Sequence, residues 1–216
     1  MACAISSGCW PPSVRVRTVS FVEELAAAEI GVTFNFYRDG PRAGLLRRRL
    51  AAYLDARDAA TLLLIGEAPG YRGARVSGIP FASERQLTGA GPAEATATIV
   101  RTVLLELGLE QVTLCWNAVP THPGTETSNR RPTRAEVEAG RRFVTRLAEG
   151  RRVLAIGRVA AAATGAPYVR HPSHGGVMEF RAGLLRFAAG GRPVRRFHAK
   201  DLERKARRNR APLVPG

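Results

Sequence analysis

The segment that most constrains the fold is Thr61-Leu62-Leu63-Leu64-Ile65, a short apolar run followed at once by Gly66-Glu67-Ala68-Pro69-Gly70. It is too short for an ordinary helix and too apolar for a strand with one wet face. It reads as a buried parallel strand that ends in a tight turn. Segments 111–116, 152–156 and 167–169 read as three further strands. Between and after them, apolar residues recur at helical spacing over 93–107, from Pro132-Thr133-x-x-Glu136 to about 148, over 159–164 and over 179–188. The Thr133-x-x-Glu136 pattern is a helix-start signature. Two helices precede the first strand, at 21–30 with Ser20 as N-cap and Glu23-Glu24 in its first turn, and at 44–56. Strands that alternate with helices predict an α/β fold, a parallel sheet with helices on both faces. Segment 70–92 is glycine-rich and reads as a long irregular loop, and 117–131 as a polar one. Loops of that length in a compact domain are often functional.

Charge narrows the partner. The 216 residues carry a formal net charge of +15, and the only lysines are Lys200 and Lys205. Arginine offers a planar, permanently charged fork that suits phosphate. The balance predicts a polyanionic partner, nucleic acid before others. Residues 1–17 read as a flexible leader, 18–190 as one domain, and 191–216 as a basic tail with nine basic residues against Asp201 and Glu203. The tail is expected to add non-specific affinity for DNA. Cys3, Cys9 and Cys115 form neither an even framework nor a CxxC pair, which argues against a disulfide scaffold or a cysteine-held cluster. No charged n-region precedes an apolar stretch, and no run approaches the ~20 apolar residues of a membrane span. The expectation is a cytoplasmic, monomeric protein that does not engage membranes.

The chemistry-bearing residues fall at strand ends: Glu67 after the first strand, Asn117 after the second, His171 after the fourth. In a parallel sheet those ends share one edge, where open α/β sheets bind ligands. Each has a plainer reading taken singly: Glu67 as a cap or ion-pair carboxylate, Asn117 as a turn residue, His171 as an anchor for its turn. His171 and His174 have H-x-x-H spacing, but no second carboxylate or cysteine stands near, so no metal is expected. Phe81, in Ser77-Gly78-Ile79-Pro80-Phe81, is either a core aromatic or a ring on which a flat ligand stacks. Neither phosphate-loop glycine pattern follows the first strand.

Together these motifs resemble those of the uracil-DNA glycosylase superfamily, over roughly residues 33–188. Gly66-Glu67-Ala68-Pro69-Gly70 looks like the first superfamily motif in the form of its thermostable branch. Gly78-Ile79-Pro80-Phe81 is similar to the element that supplies the base-stacking ring, and Trp116-Asn117 to the one whose asparagine reads the base edge. Gly157-Arg158-x-Ala160 and His171-Pro172-Ser173 complete the set. The resemblance implies a three-layer α/β/α sandwich around a four-stranded parallel sheet. It implies excision of uracil, or a related deaminated base, from DNA without a cofactor. Glu67 and His171 would be catalytic. Gly66, Ala68, Pro69, Gly70, Phe81 and Asn117 would hold the base, and Arg72, Ser83, Ser173, His174 and Gly175 the DNA.

Four departures qualify the resemblance. The four cysteines that hold an iron–sulfur cluster in the thermostable branch are absent. Ala68 stands where the best-known branch has an aspartate, so water activation falls to Glu67. Gly70 stands where that branch has a tyrosine that blocks the thymine methyl. His174-Gly175-Gly176 replaces the usual context after His-Pro-Ser. Two other functions fit the same residues: a member that binds damaged DNA without catalysis, and an α/β hydrolase of free nucleosides or nucleotides.

Overall fold

The computed structural model describes residues 18–190. The leader at 1–17 and the basic tail at 191–216 lie outside the described residues. The elements run α1 (Thr18–Ala27), α2 (Ala43–Ala56), β1 (Leu62–Gly66), α3 (Ala74–Ser77), α4 (Glu84–Thr88), α5 (Ala95–Glu106), β2 (Thr113–Asn117), α6 (Arg134–Ala148), β3 (Arg152–Ile156), α7 (Arg158–Thr164), β4 (Tyr168–Val169) and α8 (Val177–Ala188).

The four strands form one sheet in the order β2-β1-β3-β4, every pair parallel. Successive side chains along a strand point to opposite faces. Leu63, Ile65, Leu114, Trp116, Val153 and Ala155 therefore face one helical layer, which draws Leu46 and Leu50 from α2 and Phe143 and Leu147 from α6. Leu62, Leu64, Cys115, Leu154, Ile156 and Val169 face the other, with Val100 and Leu104 from α5 and Phe180 and Leu184 from α8. Both faces are covered, which is why β1 is apolar throughout and why the fold is a three-layer α/β/α sandwich. β2 is an edge strand, and Tyr53 closes part of it: the Cys115 amide donates to the Tyr53 hydroxyl at 2.7 Å.

Several boundaries differ from the sequence reading. α1 begins at Thr18, so Glu23 and Glu24 sit in mid-helix, where Glu24 pairs with Arg146 and Arg142 of α6 instead of facing the helix N-terminus. β2 begins at Thr113 and includes Asn117, and α8 begins at Val177, ahead of Glu179. The 70–92 segment is not irregular throughout, because it holds α3 and α4, each barely one turn. One turn is too short to show a hydrophobic period. The aromatic segment before Arg38 forms no strand of the sheet. Phe34 makes an isolated antiparallel bridge to His122, and the Asn35 amide donates to the carbonyls of Leu25, Ala26 and Ala28, closing the end of α1.

Candidate active site

The register of the central strands builds the floor of the site. Gly66 lies opposite Asn117 at the C-terminal ends of β1 and β2. The Phe81 ring packs against Gly66 so closely that a Cβ there would fall 2.4 Å from the ring's Cζ and 2.9 Å from Asn117 Oδ1. Only glycine leaves room for both. Phe81 itself has φ of 54°, a left-handed conformation that costs a bulky residue roughly 1–3 kcal/mol. Its loop holds it there. The buried Ser77 hydroxyl donates to Ala82 O at 2.7 Å and accepts from the Ile79 amide at 3.2 Å, while the Tyr37 hydroxyl donates to Gly78 O at 2.9 Å. Asn117 is only 5% exposed, and its side-chain amide has no protein partner among the described residues. Gly66→Ala is expected to displace the Phe81 ring and reshape the floor of the site with little loss of thermal stability, which a melt and a structure of the variant would check.

Above this floor is a cavity of about 250 Å³. All of the residues expected to be catalytic or substrate-binding line it: the 66–70 loop, Phe81, Asn117 and His171. The 66–70 loop is tied to the loop after β2. The Ala118 amide donates to Gly66 O at 2.9 Å and the Val119 amide to Glu67 O at 3.0 Å. The fully buried His122 ring lies 2.8 Å from both Pro69 O and Thr125 O. The Glu67 carboxyl is left without a protein hydrogen bond among the described residues. Its burial raises its pKa above the usual 4.5, and the charge of Arg131 opposes that rise.

His171 is held by its own turn. The Ser173 backbone amide donates to its Nδ1 at 3.2 Å, and the Ser173 hydroxyl lies 2.7 Å from the same atom. A backbone amide can only donate, so Nδ1 carries no proton and the neutral ring carries it at Nε2. Burial, and then the neighbouring His174, lower the pKa of His171 below 6.5. Gly157 packs along the ring: a Cβ there would lie 3.6 Å from His171 Cβ, and its φ of 87° with ψ of 162° is open to glycine alone.

The residues expected to hold DNA are placed less uniformly. Arg72 is exposed, with its guanidinium 5.3 Å from the Tyr71 ring centroid. His174, at φ of 52°, and Gly175 are exposed on the turn after His171. Ser173 turns its hydroxyl to His171. Ser83 is fully buried, and its side chain forms the capping box of α4 with Gln86, so the structure does not bring it to the cavity. Sequence reasoning missed Glu94, Thr96, Asn129 and Arg130, which also line the cavity. Arg130 is fixed by two hydrogen bonds to the buried Glu136, whose carboxyl it holds below the usual range. The capping pattern at Thr133 was visible, but nothing in it signalled that Glu136 also binds Arg130. Among the described residues no three His, Cys, Asp or Glu side chains converge as a metal-ion site. No described helix is long and apolar enough to cross a membrane.

The sequence model described as the uracil DNA glycosylase superfamily matches residues 54–206, well over half of the chain. No curated protein matches it significantly. Among solved structures, wild-type SMUG2 from Pedobacter heparinus superposes with a TM-score of 0.53 at 13% identity, over 88% of this chain and 96% of that one. That likeness is one of fold. Wild-type UNG from Nitratifractor salsuginis gives a TM-score of 0.42 at 15% identity, over 82% of this chain and 97% of that one.

Proposed function

Because the chain belongs to the uracil DNA glycosylase superfamily, we propose that it is a DNA glycosylase that hydrolyses the N-glycosidic bond of uracil flipped out of DNA and leaves an abasic site. The observation that carries this reading is the convergence of Glu67, Phe81, Asn117 and His171 on one cavity, with the Ser173 amide at His171 Nδ1 leaving Nε2 to carry the ring proton.

The glycosidic bond cannot be reached inside the duplex, so the base must leave the stack. Once out, it lies on the Phe81 ring. Asn117 Nδ2 donates to O4 and Oδ1 accepts from N3–H. Cytosine presents the opposite pattern at those positions and is refused. As the bond breaks, negative charge builds on the base at O2, where His171 donates. A neutral donor stabilises that charge without having to give up its proton. Positive charge builds on the sugar, where the ionised Glu67 stabilises it and orients the attacking water. Arg130 and Arg131 beside the cavity, with Arg72 further out, suit the flanking phosphates. Oligonucleotides bearing uracil, hypoxanthine or xanthine, single- and double-stranded, test the reading under single-turnover conditions. Abasic sites should form from uracil. No abasic product from uracil would overturn it.

Asn117→Asp provides a sharper check. An ionised carboxylate cannot donate to O4, so discrimination between uracil and cytosine should collapse while affinity for undamaged DNA barely changes. Excision of uracil at the wild-type rate by Asn117→Asp would show that Asn117 does not read the base.

A further inference from the structure

Gly70 has no side chain, yet the space beside it is filled. A Cβ on Gly70 would fall 2.0 Å from Glu94 Oε1, and one on Gly73 would fall 2.0 Å from Glu94 Oε2. The carboxyl of Glu94 therefore stands where a residue-70 side chain would stand, and it lines the same cavity as Glu67 and His171. Glu94 comes from a different part of the chain, the residue before α5.

The ordinary explanations for this carboxyl fail. At the N-cap position of α5 its side chain makes no capping hydrogen bond. It forms no ion pair or side-chain hydrogen bond among the described residues. Burial alone raises its pKa. A half-buried carboxyl without a protein partner among the described residues is disfavoured, and its position makes it a wall of the cavity.

The geometry of a flipped pyrimidine identifies what that wall meets. The ring face lies on Phe81. The N3–O4 edge is read by Asn117 and O2 faces His171. The C5–C6 edge is left for the remaining side, formed by Gly70 with Glu94 over it. We infer that Glu94 closes the base pocket over Gly70 and excludes pyrimidines that carry a methyl group at C5. The inference rests on the proposed reading of the cavity as a uracil pocket. A C5–H fits beside the carboxyl. A C5 methyl would press against a polar group that it can neither hydrogen-bond nor replace with water.

The test compares single-turnover excision of uracil and of thymine, each opposite guanine, by the wild-type chain, Glu94→Ala and Glu94→Gln. Glu94→Ala should raise the thymine-to-uracil rate ratio by roughly 10- to 200-fold, the range expected for one methyl group in a fitted pocket. Glu94→Gln, which fills the same space, should keep the wild-type ratio. An unchanged ratio in Glu94→Ala, or a ratio in Glu94→Gln as high as in Glu94→Ala, would overturn the assignment. If Glu94→Ala excises neither base, Glu94→Asp decides: its ratio must rise above wild type, and one equal to wild type would equally overturn it. A wild-type chain that excises uracil while the variants leave the ratio unmoved sinks this inference alone. A wild-type chain inactive on uracil sinks the proposed function and this inference with it.

Discussion

His171→Ala is expected to slow the chemical step by roughly 10²–10³, about 3–4 kcal/mol of lost transition-state stabilisation, while DNA affinity changes little. The size follows from where the hydrogen bond acts. If His171 donates to O2 as proposed, its Nε2–H faces little charge there in the ground state and much more as the bond breaks, so its loss appears in rate and not in binding. The competing view is that His171 only anchors the turn through the Ser173 contacts. That view predicts equal losses in binding and rate, together with a lower melting temperature. A pH profile separates the two further. Burial keeps the folded pKa of His171 below 6.5, so the neutral ring prevails at pH 7 and is lost as pH falls through that lowered value. Protonation places a hydrogen on Nδ1, where the Ser173 amide now donates. Wild-type excision should therefore fall on acidification below 6.5, and the His171→Ala rate should lack that component of the fall.

The parts of the site that were legible in the sequence are those encoded by neighbours in the chain. β1 announces itself because the sheet is covered on both faces and every residue in it must be apolar. Glu67, Asn117 and His171 follow from that, since parallel strands bring their C-terminal ends to one edge. Phe81 was legible only as part of a glycine-proline loop. Its contact with Gly66 depends on a left-handed backbone that no sequence rule assigns to phenylalanine. Glu94 was invisible for a related reason. It stands after Gly91-Pro92-Ala93, where an acidic residue reads as a solvated helix start, and only the tertiary fold carries it over Gly70 and Gly73. Ser83 shows the reverse error. The resemblance implied a DNA contact for Ser83, whereas its buried side chain forms with Gln86 the cap of a helix too short to be seen in the sequence.

Glu67→Gln should move activity and stability in opposite directions. The substitution keeps the shape of the side chain and removes its charge. If the carboxylate stabilises the sugar cation and orients water, single-turnover excision should drop well beyond tenfold. The raised pKa of Glu67, caused first by its burial, fixes the sign of the stability effect. A carboxyl whose folded pKa lies above its unfolded value favours the native state fully below the unfolded value, near 4.5, and loses that contribution as pH rises through the folded value. At neutral pH the wild-type chain thus holds an ionised carboxylate that burial disfavours and no hydrogen bond relieves. Glutamine carries no such charge. Glu67→Gln should melt above wild type at pH 7.5, and the gap should narrow toward pH 4 as the wild-type carboxyl takes up its proton. Thermal melts across that range, beside excision assays at pH 7.5, read both effects. Undiminished excision would move water activation away from Glu67. A melting temperature lowered at neutral pH would mean that the carboxylate is held by a favourable contact, most simply the charge of Arg131, whose pull would then outweigh the cost of burial.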